Sequence, residues 1–383
     1  MVKTKLKIAF IHNAYVEYRI PFFEKLSSQY RVSFFFEWFD KSIDVNKSRF
    51  LFRFLKSLKI INNYSFSPLL FFYLLRGKYN LFIAGAIGEV NTYIAYFASI
   101  LLHKPFIFWD ENWYLPPTSW RRLTWPFLLQ ILNRSKAIIV PGSKSKELYL
   151  SINPLLSEKI FVAPNASLLH PNQITDIKVK NLRESLKIGD KKVILYFGRL
   201  IKQKGFEYLA KAFEKLQQYH SKVFLLVVGG QYGHGERYSI KELENLSKVI
   251  SPDKIRFTGW IEAAEKTTYF LLADVVVVPS IFFLEGSEVW GFSVNEAMSV
   301  GKPVIATKAV GAAHDLIHNG INGFIVPDKN PEALYKAIKL VINDSCNQKT
   351  MGSKSLLLLK DGFTYEHMLL GFTEGISFAL NTS

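Results

Sequence analysis

Short apolar runs alternating with longer amphipathic stretches constrain this chain more than any other feature. In the first half the runs are KLKIAFI (5–11), RVSFFFEW (31–38), NLFIAGA (80–86), PFIFW (105–109), KAIIVPG (136–142) and KIFVAPN (159–165). Each reads as a strand. Between them, YRIPFFEKLSSQ begins a helical region, a helix runs from Glu89 to Leu102, and WRRLTWPFLLQILN (120–133) has an amphipathic helical pattern. Such alternation predicts parallel sheets covered by helices.

The pattern pauses at residues 164–185, PNASLLHPNQITDIKVKNLRES, which read as a linker. It then restarts. Strands are expected at VILYFG (193–198), VFLLVVGG (223–230), KIRFTGW (254–260), VVVVPS (275–280), PVIAT (303–307) and GFIVP (323–327). Helices are expected at 204–218, 265–274, from NEAMSV onward, and at 331–343. The reading is two domains, residues 1–170 and 171–360. A helical segment, 361–383, then packs back on the first domain. The two halves are alike in architecture without being sequence repeats.

Composition narrows the possible functions. Of 383 residues, 49% are hydrophobic, enough for substantial cores. The single Cys346 excludes an internal disulfide, which fits a reducing compartment. The start, MVKTKLKIAFIHN, runs from basic residues into a strand rather than a signal peptide. The longest apolar run, 81–102, is interrupted by Glu89 and Asn91 and reads as strand, turn and helix rather than a membrane span. The formal net charge is +16, and residues 1–180 carry most of it, with 24 Lys and Arg against 11 Asp and Glu. Residues 45–88 hold no acid, and their Lys47, Arg49, Arg53, Lys56 and Lys59 alternate with Phe50, Phe52, Phe54 and Leu58. That stretch reads as a membrane-surface helix meeting anionic headgroups. An ordinary core helix with a basic outer face is the alternative. No nucleic-acid motif accompanies the basic residues.

The chemistry concentrates in PSIFFLEGSEVWGFSVNEAMSVGKPVIATKAVGAAHDLI, residues 279–317. Glu288 and Glu296 lie eight apart, on either side of a Trp-Gly-Phe turn at Gly291. Two carboxylates beside a glycine turn and a helix start suit a ligand rich in hydroxyls and phosphates. Upstream, Gly198-Arg199 ends a strand, and Lys204-Gly205 opens a helix five residues on. Arg199 can fork onto phosphate oxygens while Lys204 adds a compact second charge. Gly229 and Gly230 end another strand, and Thr258-Gly259 a third. No D-x-D and no His or Cys cluster has metal-ligand spacing. His234 and His314 read as plain loop residues.

This constellation resembles the E-x7-E signature of the retaining glycosyltransferases of family 4. The resemblance is strong over residues 190–330 and only topological before them. It implies the GT-B fold, two Rossmann-like parallel-sheet domains facing across a cleft. It implies a donor, a nucleotide-diphosphate sugar, and no other cofactor or metal. Arg199 and Lys204 would then clamp the diphosphate and Glu288 would hold the donor sugar. Glu296 would hold the ribose. The amides of Gly291, Phe292, Ser293 and Val294 would approach sugar and diphosphate, and Gly198, Gly229, Gly230, Thr258 and Gly259 the nucleotide. The implied reaction is sugar transfer to an acceptor hydroxyl with retention, by front-face departure and attack.

The first half departs from the family pattern. HNAYVEYR (12–19) lacks the glycine-rich loop, and Trp109-Asp110-Glu111-Asn112 stands where many members have a His. Asp110 and Glu111 are candidates to act on the acceptor hydroxyl or the donor sugar; the alternative is that one merely caps the turn or pairs with Arg121 or Arg122. Tyr15, Glu17 and Arg19 belong to the same end of the sheet. Asn165 matches an interdomain Asn-Gly segment, with Ala166 in place of Gly. The basic, apolar first half implies a lipid-linked or cell-surface glycan acceptor, an anionic membrane surface as partner, and a peripheral position on its cytoplasmic face. A nucleotide-sugar 2-epimerase of the same fold and a non-catalytic membrane-binding protein are the alternatives.

Overall fold

The computed structural model describes residues 5–40, 43–61, 64–86, 89–231, 235–283 and 286–382. The chain forms two units, Met1–Ala166 with Thr364–Ser383, and Ser167–Phe363. The sequence had placed these boundaries at 170 and 360.

In the first unit the strands are β1 (Lys7–Tyr15), β2 (Arg31–Phe39), β3 (Leu51–Phe54), β4 (Leu58–Ile61), β5 (Tyr64–Phe66), β6 (Leu81–Gly85), β7 (Phe106–Trp109), β8 (Ala137–Val140) and β9 (Ile160–Val162). Its helices are α1 (Ile20–Gln29), α2 (Pro68–Arg76), α3 (Val90–Leu101), α4 (Ser119–Arg134) and α5 (Ser143–Ile152). Seven strands make a parallel sheet ordered β3-β2-β1-β6-β7-β8-β9, and β4 and β5 form a separate antiparallel pair. Burial on both faces explains why β7 and β8 are continuous apolar runs. One face carries Ile11, Phe35, Phe82, Phe106, Phe108 and Ile138 under α2 to α5. On the other, Phe10 meets Phe22, Phe23 and Trp109 edge-on.

The second unit holds α6 (Asp176–Ser185), β10 (Lys192–Phe197), α7 (Phe206–Tyr219), β11 (Val223–Val228), α8 (Ile240–Lys248), β12 (Ile255–Gly259), α9 (Lys266–Leu272) and β13 (Val275–Val278). It continues through α10 (Phe292–Ser299), β14 (Val304–Thr307), α11 (Ala313–Leu316), β15 (Gly323–Val326), α12 (Pro331–Ile342) and α13 (Ser345–Gly362). Its parallel sheet is ordered β12-β11-β10-β13-β14-β15. Alternate residues of each central strand enter opposite cores: Ile194 and Tyr196 one, Val193 and Leu195 the other. Helix α14 (Tyr365–Asn381) belongs to the first unit, where it packs on α1, β7, β8 and β9 and sets Phe372 against Phe10, Phe22 and Trp109.

Three expectations are corrected here. Residues 45–61 form no membrane-surface helix: β3 pairs in parallel with β2, Phe36 opposite Phe54, and β4 begins the antiparallel pair. Leu51 and Arg53 point outward, while Phe52 and Phe54 lie against Tyr15 and Phe36, a two-residue period that only a strand produces. The 164–185 linker is also wrong in its second half. Thr175 caps α6 by accepting from the Lys178 amide, and α6 packs on α9. Finally, α10 begins at Phe292, so Glu296 is inside that helix rather than at its opening.

In both sheets the strand order reverses direction once, at β1/β6 and at β10/β13. Crevices beyond the carboxyl ends of strands at such points are where open α/β sheets bind ligands.

Candidate functional site

At the β10/β13 reversal the second unit gathers residues widely separated in sequence. Gly198 and Arg199 follow β10, while Pro279, Ser280 and Glu288 follow β13. Arg199, Gln203, Lys204, Ser287 and Glu288 line one cavity of about 260 Å³. Lys204 donates to Glu288 Oε2 in an ion pair, and Ser280 Oγ lies 3.3 Å from the same oxygen. Burial pushes the Glu288 carboxyl up, but Lys204 and then Arg199 outweigh it and hold the carboxyl below its ordinary value. Glu288 is therefore an anion at neutral pH in a largely desolvated place. The Gln203 Oε1 is buried with no hydrogen-bond partner among the described residues, so the cavity wall also offers an unused acceptor.

The backbone fixes this geometry. The Glu288 amide donates to Ala309 O and its carbonyl accepts from Gly311, so the segment is stitched to the chain after β14. Trp290 is buried, its Nε1 donating to Asn295 Oδ1 at 2.7 Å. Gly291 then turns with φ 92°, and a Cβ there would sit 2.7 Å from Val310 Cγ1 and 3.4 Å from Glu288 Cγ. The start of α10, at Phe292 and Ser293, is thereby held beside the Glu288 side chain, whereas the Val294 amide, expected to approach the donor, donates to Gly291 O at 2.9 Å. Gly229 has φ 125° and its absent Cβ would lie 2.0 Å from Gly198 O, so β10 and β11 end in close contact. The Gly229 amide donates to Gly259 O, the Leu200 amide to Gly230 O, and Thr258 Oγ1 to Gly259 O. Among the described residues no three His, Cys, Asp or Glu are grouped to hold a metal.

Glu296 is not in this cavity's lining. It is 3% exposed, and its Oε1 accepts from Lys266 at 3.0 Å and Ser167 at 2.8 Å. Lys266 and Ser167 escaped sequence reasoning, since neither stands in a motif. His314 Nε2 contacts Lys308 O. His234 lies outside the described residues.

In the first unit the residues expected on the acceptor side separate. Asp110 is 0% exposed. It accepts from the Asn112 amide and side chain, and from Tyr149 OH at 2.5 Å, which makes it the cap of its turn. Glu111 pairs with Arg19, not with Arg121 or Arg122. Arg19 is 1% exposed, also donates to Asn165 Oδ1 at 2.6 Å, and lies over Trp109. His12 stacks on Trp109, and burial followed by Arg19 lowers its pKa to about 4, leaving it neutral. Tyr15 is buried, its OH 2.5 Å from Ser48 Oγ, and Glu17 is exposed.

A polar group unsuspected from sequence occupies the β1/β6 reversal. Glu37 near the end of β2 accepts from Asn91 Nδ2 at 2.6 Å and Ser65 Oγ at 2.8 Å. Burial, and then the charge of Glu37, raise the Glu89 pKa to about 7, against a hydrogen bond from Asn13. Burial likewise raises Glu37. A carboxyl titrating near neutrality can hold or release a proton at working pH.

Comparison with known proteins bears on the second unit first. Residues 178–355 match the family described as glycosyl transferases group 1. Over 166 residues the chain is 34% identical to an uncharacterized glycosyltransferase, MJ1607, of Methanocaldococcus jannaschii, covering 43% of this chain and 39% of that protein. Over 200 residues it is 29% identical to the lipopolysaccharide 1,2-N-acetylglucosaminetransferase of Salmonella typhimurium, covering 51% of this chain and 50% of that one. The aligned segments thus span half or less of these curated relatives. Among solved structures, Anabaena Alr3699/HepE in complex with UDP superposes with a TM-score of 0.79 at 19% identity, over 97% of this chain and 100% of that one. Sucrose-phosphate synthase (tll1590) from Thermosynechococcus elongatus gives 0.75 at 20%, over 99% and 100%. At such identities the likeness concerns the fold, which is GT-B.

Proposed function

We propose that this protein transfers a sugar from a nucleotide-diphosphate sugar to an acceptor hydroxyl, with retention and without a metal. The observation that carries the reading is the convergence of Arg199, Lys204 and Glu288 on one cavity beside the start of α10. Two cations and a helix N-terminus suit a diphosphate whose charge grows as the sugar departs. An ionised, desolvated carboxylate suits sugar hydroxyls. Lys204 and Glu288 neutralise each other in the structure as it stands. A donor would engage both, its phosphate taking the lysine and its hydroxyls the carboxylate. UDP in a structural neighbour makes uracil the first base to try.

The acceptor in this reading is a lipid-linked or cell-surface glycan, and the protein is peripheral on the cytoplasmic face of an anionic membrane. The basic surplus of residues 1–180 supports this, and no helix among the described residues is long and apolar enough to cross a membrane. The test is a thermal-shift screen across UDP-, GDP- and ADP-sugars, followed by NMR of the product anomer. Stabilisation by one donor and a retained anomer are expected. No stabilisation by any sugar nucleotide, or an inverted product, would overturn the reading.

A further inference from the structure

The first unit carries a second cavity, at the edge of its sheet opposite the strand carboxyl ends. It measures about 370 Å³ and is lined by Tyr96, Ile100, His103, Lys104, Arg134 and Lys136, among others. The lining contains no carboxylate among the described residues. Lys104 and Lys136 come from the loops entering β7 and β8, which the parallel sheet sets side by side, and Arg134 from the last turn of α4. Lys136 Nζ already donates to Thr382 O at 2.5 Å, whereas Lys104 and Arg134 are exposed and make no ion pair among the described residues. Tyr96 is 2% exposed, and its hydroxyl has no hydrogen-bond partner among the described residues. Leaving a buried hydroxyl unpaired is unfavourable, so its persistence beside cations points to a ligand that accepts from it. Tyr96 and Arg134 line this same space.

The surroundings are cationic as well. An adjoining cavity shares Arg134 and Lys136 and adds Lys159, with Glu158 its one acid among the described residues. Burial and then Lys136 lower the Lys159 pKa. Helices α2, α3 and α4 contain no Asp or Glu, and α3 leaves Phe97, Ile100 and Leu101 exposed next to the cavity.

We infer that this cavity binds a phosphate group, gripped by Lys104, Arg134 and the Tyr96 hydroxyl. A guanidinium fork, an ammonium and one neutral donor match the several oxygens of a phosphate. The apolar residues of α3 favour a phosphate borne by a lipid headgroup over a free phosphate ester. The inference rests on the membrane reading above for that source only, not for the site.

The test measures stabilisation by inorganic phosphate, with chloride at equal ionic strength as reference, and sedimentation with phosphatidylglycerol or phosphatidylcholine vesicles. Wild type should respond saturably to phosphate. Lys104→Gln/Arg134→Gln should raise the apparent Kd about tenfold or more, and Tyr96→Phe about fivefold, for lost charge-assisted hydrogen bonds. Tyr96→Phe should fold at least as stably as wild type, because the hydroxyl it removes is unpaired. Arg199→Gln/Lys204→Gln, which strips the cations of the second unit, should keep the phosphate response. A sugar-nucleotide failure therefore leaves this result readable. Parallel loss of phosphatidylglycerol binding identifies the lipid source, and loss of the phosphate response alone identifies a soluble ester. Unchanged phosphate affinity in the double variant overturns the inference, as does a response abolished in Arg199→Gln/Lys204→Gln. If the double variant does not fold, unchanged affinity in Tyr96→Phe overturns it alone.

Discussion

Glu89→Gln isolates the energetic consequence of a carboxyl buried beside another. In the folded chain Glu89 titrates at about 7, against an ordinary 4.5, because burial and then Glu37 penalise its charge. The sign follows from proton binding. Between pH 4.5 and 7 the folded state holds a proton that the unfolded state has released, so stability falls as pH rises through that window. The shift is about 2.5 pH units at 1.36 kcal/mol each, an upper figure of about 3 kcal/mol by pH 8. Gln keeps the side chain's size and can still bond Asn13, but carries no charge. At pH 4.5 the variant and wild type should unfold at nearly the same urea concentration. At pH 8 the variant should be more stable, by about 1–3 kcal/mol. The assay is urea unfolding of both proteins at half-unit pH steps, with exchange protection of the β1 and α3 amides reporting the first unit separately. Stability curves that run parallel from pH 4.5 to 8 would refute the argument, since they would mean Glu89 ionises normally.

Four further outcomes are expected. Lys204→Met should cut donor turnover about 10²-fold or more, measured as kcat/KM on whichever sugar nucleotide stabilises the protein, and a loss below about fivefold would remove Lys204 from the site. Its partner Glu288 has a depressed folded pKa, so its stabilisation is complete above pH 4.5 and disappears as pH falls through the lower folded value. Glu288→Gln should flatten that acid-side loss in a pH series of thermal melts. Gly291→Ala should cost about 1–3 kcal/mol in urea unfolding, from a left-handed backbone and the Val310 contact. Arg19→Met should destabilise by about 3 kcal/mol, with partial recovery on adding Glu111→Gln. By NMR the same change should raise the His12 pKa from about 4 without restoring 6.5, because burial is the larger cause.

How far the sequence spoke depended on whether a signal was local. Strands such as VILYFG and VVVVPS are buried on both faces, so apolar residues run unbroken and announce themselves. Arg199 and Lys204 were legible because each adjoins a Gly at an element boundary, and Glu288 because it lies in the loop that leads to the Gly291 turn; the structure brings all three onto one cavity. Helix α6 was not, because none of its residues is fully buried and its polar run looks like a linker. Residues 50–54 mislead through composition: their two-residue alternation is a strand signal, but it is only five residues long and lies inside a basic, aromatic stretch, and β2 is the distant partner that realises it. Lys266 and Glu296, thirty residues apart, share no pattern. Glu37 and Glu89 become neighbours only when β2 and α3 meet at the same sheet end. Asp110 carried the right chemistry for an acceptor base, but the turn and Tyr149 consume it.

Helix α14 places Phe372 in the ring cluster of Phe10, Phe22 and Trp109. A ribosome making this protein releases β1 through β9 long before it reaches that residue. At about 5–20 residues per second, the amino-terminal unit waits roughly 10–40 s with one side of its aromatic core bare. Throughout that interval the nascent chain offers chaperones an apolar surface that only its own late helix can close.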